Sequence, residues 1–335
     1  HQKITVFNES DQIKLGPFTI HPIHVTHSVP DTYHFLIETP VGNIYHGSDY
    51  KFDLTPIDNR PPNFQKMVTL SQKGVLCLIS DCLRGERAGF TPSESTLTPA
   101  IQREFSDWSG RIIFTTMSSQ IHRIQQAVDV ATKLGRKICF IGRSMERNTT
   151  TASRLGFLRV SPKNIIKPNQ LKRYNDKQVC VIIAGSQGQE SSSLTRFAAG
   201  THRLLKPKTT DKIIYSSDII PGNEAPVYHV LDQIAKLGAT ANHSEMIDDL
   251  HVSGHASAGE IQLLMELVNA NFVYPIGGSF RHMRQYENLA KEMGYQPNQI
   301  ILPKTCQVLE FDHSGTYRLA ETLKLQAIRI DQNKL

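Results

Sequence analysis

Long apolar runs are absent from this chain of 335 residues. None approaches the ~20 consecutive residues a membrane-spanning helix requires, which excludes that class of protein and leaves a soluble chain with no membrane partner to expect. A secretory signal is equally absent from the opening residues. Cysteine is scarce, and Cys77, Cys82, Cys139, Cys180 and Cys306 show no CxxC spacing. That excludes a disulfide framework and a cysteine-rich metal site, and points to reduced thiols in a cytoplasmic protein. Internal repeats and low-complexity linkers are missing, which removes repeat architectures. Nor is there an acidic excess: 37 Lys and Arg outnumber 31 Asp and Glu, and the net charge of +6 leans toward a polyanionic partner.

What the chain does contain is alternation. "GVLCLISD", "RIIFTTM", "KICFIG", "VCVIIAG" and "KIIYSS" are apolar runs of strand length, mostly closed by Gly, Ser or Asp. Several precede helical patterns such as "QIHRIQQAVDVATKLG", the βαβ signature of a parallel sheet. Residues 1 to ~75 differ, with alternating strands and turns such as "TPVGN" that suit an antiparallel meander. Their first run lacks an initiator methionine and reads as a strand in progress, so the chain is expected to be cut from something longer. The tail, "AGEIQLLMELVNA", "FVYPIGG", "HMRQYENLAKEMG" and "QIILP", predicts helix, strand, helix, strand.

Open α/β sheets bind ligands at the loops that follow their strands, so the candidate chemistry sits there. "HVTHSVPDTYH" offers His24, His27, Asp31 and His34 as ligands or as turn residues. Asp49 in "HGSDYKFD" can aim a carboxylate into a site or cap a turn. "GSQGQE" can cradle a phosphate with backbone N–H groups and the Ser186 hydroxyl, although it lacks the lysine of a Walker motif. Ser118, Ser119, His122, Arg123, Arg143 and Arg147 suit phosphate contacts or a solvated helix start. "HVSGHASAGE" wraps two histidines around Ser253 and Gly254 ahead of a helix.

Taken in order, "THSVPDT", "GNIYHGSDYKFDLTP", "GVLCLISD", "GFTPSE", "SSQIHRIQQ", "GRKICFIGRSME", "GSQG", "GTHR", "PGN", "HVSGHAS" and "PIGGSFRHM" resemble the ribonuclease J group of metallo-β-lactamase proteins that carry a β-CASP insertion. The resemblance implies an α/β fold. Residues 1–80 and 250–335 would form a partial metallo-β-lactamase αββα sandwich, and 81–249 an inserted β-CASP domain with a parallel sheet flanked by helices. It implies RNA degradation by 5′-to-3′ exonuclease and endonuclease action, in rRNA maturation and mRNA decay, with two zinc ions. It also implies cytoplasmic oligomers, of one chain or with a paralogue.

Carried over by motif, His27 would ligate a zinc ion and Asp49 would bridge two. Asp81 would support the site by hydrogen bonding, and His255 would handle the scissile phosphate or protonate the leaving oxygen. Phosphodiester hydrolysis needs activated water and positive partners for the phosphoryl oxygens, which this set suits. Ser118, Ser119, Arg143, Ser186, His251, Val252, Ser253, Gly254 and His255 are the expected contacts to single-stranded RNA.

Two departures stand out. The family's HxHxDH motif, which supplies most zinc ligands, is nowhere in these residues, and Gly277 stands where relatives place a zinc-ligating histidine. The expectations are at most one tightly bound zinc and a gain of metal on Gly277→His. Two function classes follow: a zinc-dependent ribonuclease, or a catalytically weakened RNA-binding paralogue that partners an active one.

Overall fold

The computed structural model describes residues 4–106, 108–244, 246–302 and 304–326. The chain opens with β1 (Ile13–Leu15), β2 (Phe18–Val25), β3 (Thr32–Thr39) and β4 (Gly42–Gly47), then α1 (Phe64–Ser71) and β5 (Cys77–Asp81). Next come α2 (Thr98–Ser106), β6 (Ile112–Thr115), α3 (Ile121–Lys133), β7 (Lys137–Ile141), α4 (Arg143–Arg154), β8 (Val179–Ile183), α5 (Ser193–Ala198), β9 (Lys212–Tyr215), α6 (Glu224–Lys236) and β10 (Thr240–Asn242). The last stretch holds α7 (Ala258–Val268), β11 (Phe272–Ile276), α8 (Phe280–Glu292), β12 (Gln307–Phe311) and β13 (Tyr317–Thr322).

A six-stranded sheet has the order β1-β2-β3-β4-β5-β11. Its first four strands form an antiparallel meander, whereas β4, β5 and β11 run parallel. The period-2 alternation puts Ile23, Val25, Leu36, Tyr45, Leu78 and Val273 in one core with Met67 of α1, Leu264 of α7 and Tyr286 of α8. The second sheet, β10-β9-β6-β8-β7, is parallel throughout. Helices cover both its faces, as buried parallel strands demand: Ile112 and Phe114 meet α2 and α3, while Ile113 and Tyr215 meet α5 and α6. Each apolar run expected as a parallel strand is one. "QIILP" is not: Ile300 forms only an isolated bridge with Val273, because the segment opens with a 3₁₀ turn at Pro297–Gln299. Cys77, Cys82, Cys139 and Cys180 are buried free thiols, and among the described residues no helix is long and apolar enough to cross a membrane.

His34 lies wholly inside the first core, edge-on to Tyr45 and Tyr50. Burial, with His46 adding to it, pushes its pKa down to about 3. The folded value lies below the ordinary ~6.5, so the unfolded chain binds more protons at acid pH. Stability is therefore complete above pH ~6.5 and lost as pH falls, by about 2 kcal/mol at pH 5 from this residue. Urea midpoints at pH 7.5 and 5.0 should show that loss, and His34→Phe should flatten the pH slope; an equally steep slope in the variant would rule His34 out as its source.

Candidate active site

The parallel ends of β4, β5 and β11 bring the candidate residues together. Asp49 follows β4, Asp81 closes β5, and Gly277 follows β11, with Ile276 in register with Asp81. His27 leaves β2 and His255 precedes α7, so both reach the same rim from the loops beside it. The rings of His27 and His255 lie 5.1 Å apart, edge to face. One donor atom from each of His27, Asp49 and His255 lies within 4.8 Å of the other two.

Each histidine is held through Nδ1. His255 donates from Nδ1 to Asp81 Oδ2 at 2.6 Å, and Asp81 is itself buried and fixed by the Leu83 N–H on Oδ1 at 2.8 Å. His27 donates from Nδ1 to the Gly254 carbonyl at 2.7 Å. A bonded Nδ1 leaves Nε2 as the available atom of each ring. Gly254 must be glycine here, because a Cβ would stand 2.8 Å from the His27 ring. Burial, reinforced by the neighbouring His255, lowers the pKa of His27 against the pull of the Gly254 carbonyl. For His255 burial also opposes charge, but the hydrogen bond and charge of Asp81, with Asp49 beyond, raise its pKa.

Gly277 has φ +83°, and a Cβ on it would lie 3.1 Å from Asp81 Oδ1 and 3.7 Å from Asp49 Oδ1. A side chain at 277 would thus project between the two carboxylates. In this left-handed backbone any L residue is strained, so Gly277→His carries a conformational cost that the sequence does not reveal. Both ring nitrogens of His282 are engaged on its own helix: Nδ1 accepts the Ser279 N–H at 3.0 Å and Nε2 lies 3.1 Å from the Arg281 guanidinium.

The loop "HVSGH" is tied to the second sheet by Arg123, a residue the sequence offers as a phosphate contact. It is fully buried. Its guanidinium forks onto Glu94 at 2.8 and 2.9 Å and donates to His251 Nδ1 at 2.8 Å and the Val252 carbonyl at 2.9 Å. His251 Nδ1 also accepts the Asp218 N–H at 3.2 Å, and its Nε2 faces Asp218 Oδ2 at 3.3 Å. Burial, then the charges of Arg123, Arg84 and Lys51, push the His251 pKa down to about 2. Ser253 Oγ accepts the His255 N–H at 3.1 Å. A second buried carboxylate, Glu260, accepts the N–H groups of Phe52, Thr91 and Ser257 at 2.7–2.8 Å and locks the start of α7. Glu94, Glu260 and the burial of Arg123 escape sequence reasoning because nothing in a helical or turn pattern marks a charged residue as buried.

Two clefts adjoin. One, of about 360 Å³, is lined by His27, Arg84, Ser253, Gly254 and His255 among others. The other, of about 940 Å³, lies at the ends of β6, β7 and β8 and is lined by Ser118, Arg143, Arg147, Ser186 and Arg196. Met117 lines both. Ser119 is half-buried in the turn ahead of α3, where its carbonyl accepts the Ile121 N–H at 2.9 Å.

Residues 109–234 match the family model of the ribonuclease J β-CASP domain, and residues 244–303 that of a Zn-dependent metallo-hydrolase RNA specificity domain. A ribonuclease J of Helicobacter pylori (strain B128) is 39% identical over 290 residues, 87% of this chain and 42% of the relative. One of Mycoplasma genitalium is 32% identical over 331 residues, 99% of this chain and 58% of the relative. One of Thermus thermophilus is 37% identical over 293 residues, covering 87% of this chain and 51% of the relative. The chain thus spans about half the length of the relatives it matches. A crystal structure of a protein of unknown function from Enterococcus faecalis V583 shares the fold, with TM-score 0.59 and 16% identity over 91% of this chain and 66% of that one. The fold and the two family models together define the metallo-β-lactamase class that carries a β-CASP domain. Within that class, the chain belongs to the ribonuclease J family.

Proposed function

We propose that the whole protein is a metal-dependent hydrolase that degrades single-stranded RNA by phosphodiester cleavage, as exonuclease, endonuclease or both. The observation that carries the reading is the meeting of His27, Asp49, Asp81 and His255 at adjoining strand ends beside a cleft. Imidazole and carboxylate donors of this kind suit zinc. Bound zinc supplies Lewis acidity toward a phosphoryl oxygen and lowers the pKa of water. The chain's own residues orient the groups around it. Asp81 fixes the His255 ring so that Nε2 is offered to the cleft, and the Gly254 carbonyl does the same for His27. Of the two zinc ions that the resemblance implies, His27, Asp49 and His255 would offer donors toward one.

RNA would run from this centre into the wider cleft, where Arg143 joins Ser118 and Ser186 as backbone contacts, with Ser119 beside them. Ser253, Gly254 and His255 would meet the reacting phosphate, while His251 and Val252 act through the shape of their loop. We place the domain boundaries at 1–80, 81–249 and 250–335, and expect cytoplasmic oligomers, of one chain or with a paralogue.

The deciding experiment is decay of a labelled single-stranded RNA by the full-length protein with zinc and with chelator. Chelator-sensitive decay supports the reading; binding without decay would favour the RNA-binding paralogue instead. Filter binding should show affinity falling steeply with salt, and Arg143→Ala should reduce the slope of log K against log salt by about 1. A salt-independent affinity would contradict phosphate-led recognition.

A further inference from the structure

We infer that the wide cleft at the ends of β6, β7 and β8 is a second binding site, apart from His27, Asp49 and His255, and that it takes the terminal phosphate groups of a free nucleoside di- or triphosphate. The binding stands on its own observations; its consequence, competition with RNA for the same cleft, rests on the proposed function.

The order of the second sheet opens a crevice here. β6 and β8 are paired neighbours, yet α3, which follows β6, packs on one face with α4, while α5, which follows β8, packs on the other. Where adjacent parallel strands send their helices to opposite faces, the gap between the strand ends stays open, and α/β sheets bind nucleotides in it. Gly142, with φ +116°, brings two loops together at that gap: a Cβ on it would stand 2.8 Å from Ala184 and 3.2 Å from Ser193 Oγ. The Ser193 hydroxyl thus lies against the start of α4, which has no side-chain cap, so the first-turn N–H groups add positive potential. Ser193 is 5% exposed, lines the cleft, and has no hydrogen-bond partner for its hydroxyl among the described residues. Ser186 is 3% exposed, and its hydroxyl has only the Met117 thioether, 3.7 Å away. Around them stand Arg143, Arg147 and Arg196, exposed and without an ion-pair partner among the described residues, against a single lining acid, Glu190. Buried hydroxyls are ordinarily bonded, so two left open beside three guanidiniums point to an anion rich in acceptors. A phosphodiester carries one negative charge, a phosphate monoester about two, and a di- or triphosphate more. Three guanidiniums and a helix start therefore match the end of a nucleotide better than one link of RNA. The cleft's volume of about 940 Å³, near the top of the roughly 300–1,000 Å³ usual for small-molecule sites, leaves space for ribose and base.

The test is calorimetric titration of the full-length protein with pyrophosphate, ADP, adenosine and a 5′-hydroxyl RNA oligomer, which carries diesters only. Pyrophosphate and ADP should bind, and adenosine should not. Their affinity should fall at least about 10-fold in Ser193→Asp, which sets a like charge against the phosphate, and in the double variant Arg143→Ala with Arg196→Ala. Both arginines are exposed, so a folding defect cannot account for the second result. ADP should also displace RNA in filter binding; RNA affinity unmoved by saturating ADP would overturn the competition. Failure of ADP and pyrophosphate to bind at millimolar concentration, or an unchanged affinity in the arginine double variant, would overturn the site itself. So would an affinity that falls in His255→Ala instead, which would put the ligand at the strand ends of the first sheet, or a cleft that accepts only the RNA oligomer. RNA decay on the same samples separates the claims: its absence from the unmodified protein sinks the functional reading, while ADP binding keeps the nucleotide site standing.

Discussion

Replacing Arg123 with methionine should cost about 3–5 kcal/mol of folding stability, the range for removing one partner of a buried ion pair. The guanidinium is 0% exposed, and both oxygens of Glu94 depend on it. Without it, among the described residues, Glu94 keeps a long hydrogen bond from Gln126 at 3.4 Å and the charge of Lys51, and the Val252 carbonyl and His251 Nδ1 lose a donor. The penalty comes less from the lost attraction than from a carboxylate stranded out of water. A second substitution tests that account. Arg123→Met with Glu94→Leu removes both charges and should recover much of the loss, since the cost of burying either charge goes with them. Denaturant unfolding of the parent, single and double variants measures each step. A single variant within 1 kcal/mol of the parent would show that the fork is incidental.

RNA decay should fall on the order of 10²–10⁴-fold in His255→Ala, equivalent to about 3–5 kcal/mol of transition-state stabilisation, while RNA affinity changes only a few-fold. The division follows from location. His255 stands at the convergent donors, whereas Arg143, Arg147 and Arg196 lie in the neighbouring wide cleft and, in the proposed function, would carry the phosphate attraction. Asp81 hydrogen-bonds to His255 and is itself anchored by the Leu83 N–H, so Asp81→Asn, which keeps an oxygen for Nδ1–H but loses its charge, should cost less than the histidine variant. Single-turnover decay with saturating protein separates rate from binding. Undiminished decay in His255→Ala would mean that the chemistry happens elsewhere.

Much of this arrangement is legible in the chain itself. The five central runs announce strands because a parallel sheet buried on both faces needs continuous apolar sequence, and their ends locate the loops. The four residues that converge were identifiable through motif resemblance; their types alone fit turns and caps equally well. Other features were hidden for physical reasons. "SSQIHRIQQ" looks like a solvated helix start, and only tertiary packing turns Arg123 inward to meet Glu94 and His251. His251 reads as a phosphate contact until both ring nitrogens prove to be engaged within the protein. "QIILP" has the composition of a strand, but has only a single bridge at the edge beside β11. The φ of Gly277 cannot be read from a glycine, which is found on either side of the map.

The parallel pairing of β5 with β11 bears on how the protein is made. Cys77 to Asp81 must wait for Phe272 to Ile276, with the whole five-stranded sheet emerging from the ribosome between them. During that interval β5 presents an unpaired edge, and the intervening sheet, with short βα connections and cores of its own, can settle first. A nascent chain arrested before residue 272 would therefore carry His27, Asp49 and Asp81 on a sheet that still lacks β11. Aggregation through that open edge is the hazard a chaperone would have to guard against at this stage of synthesis.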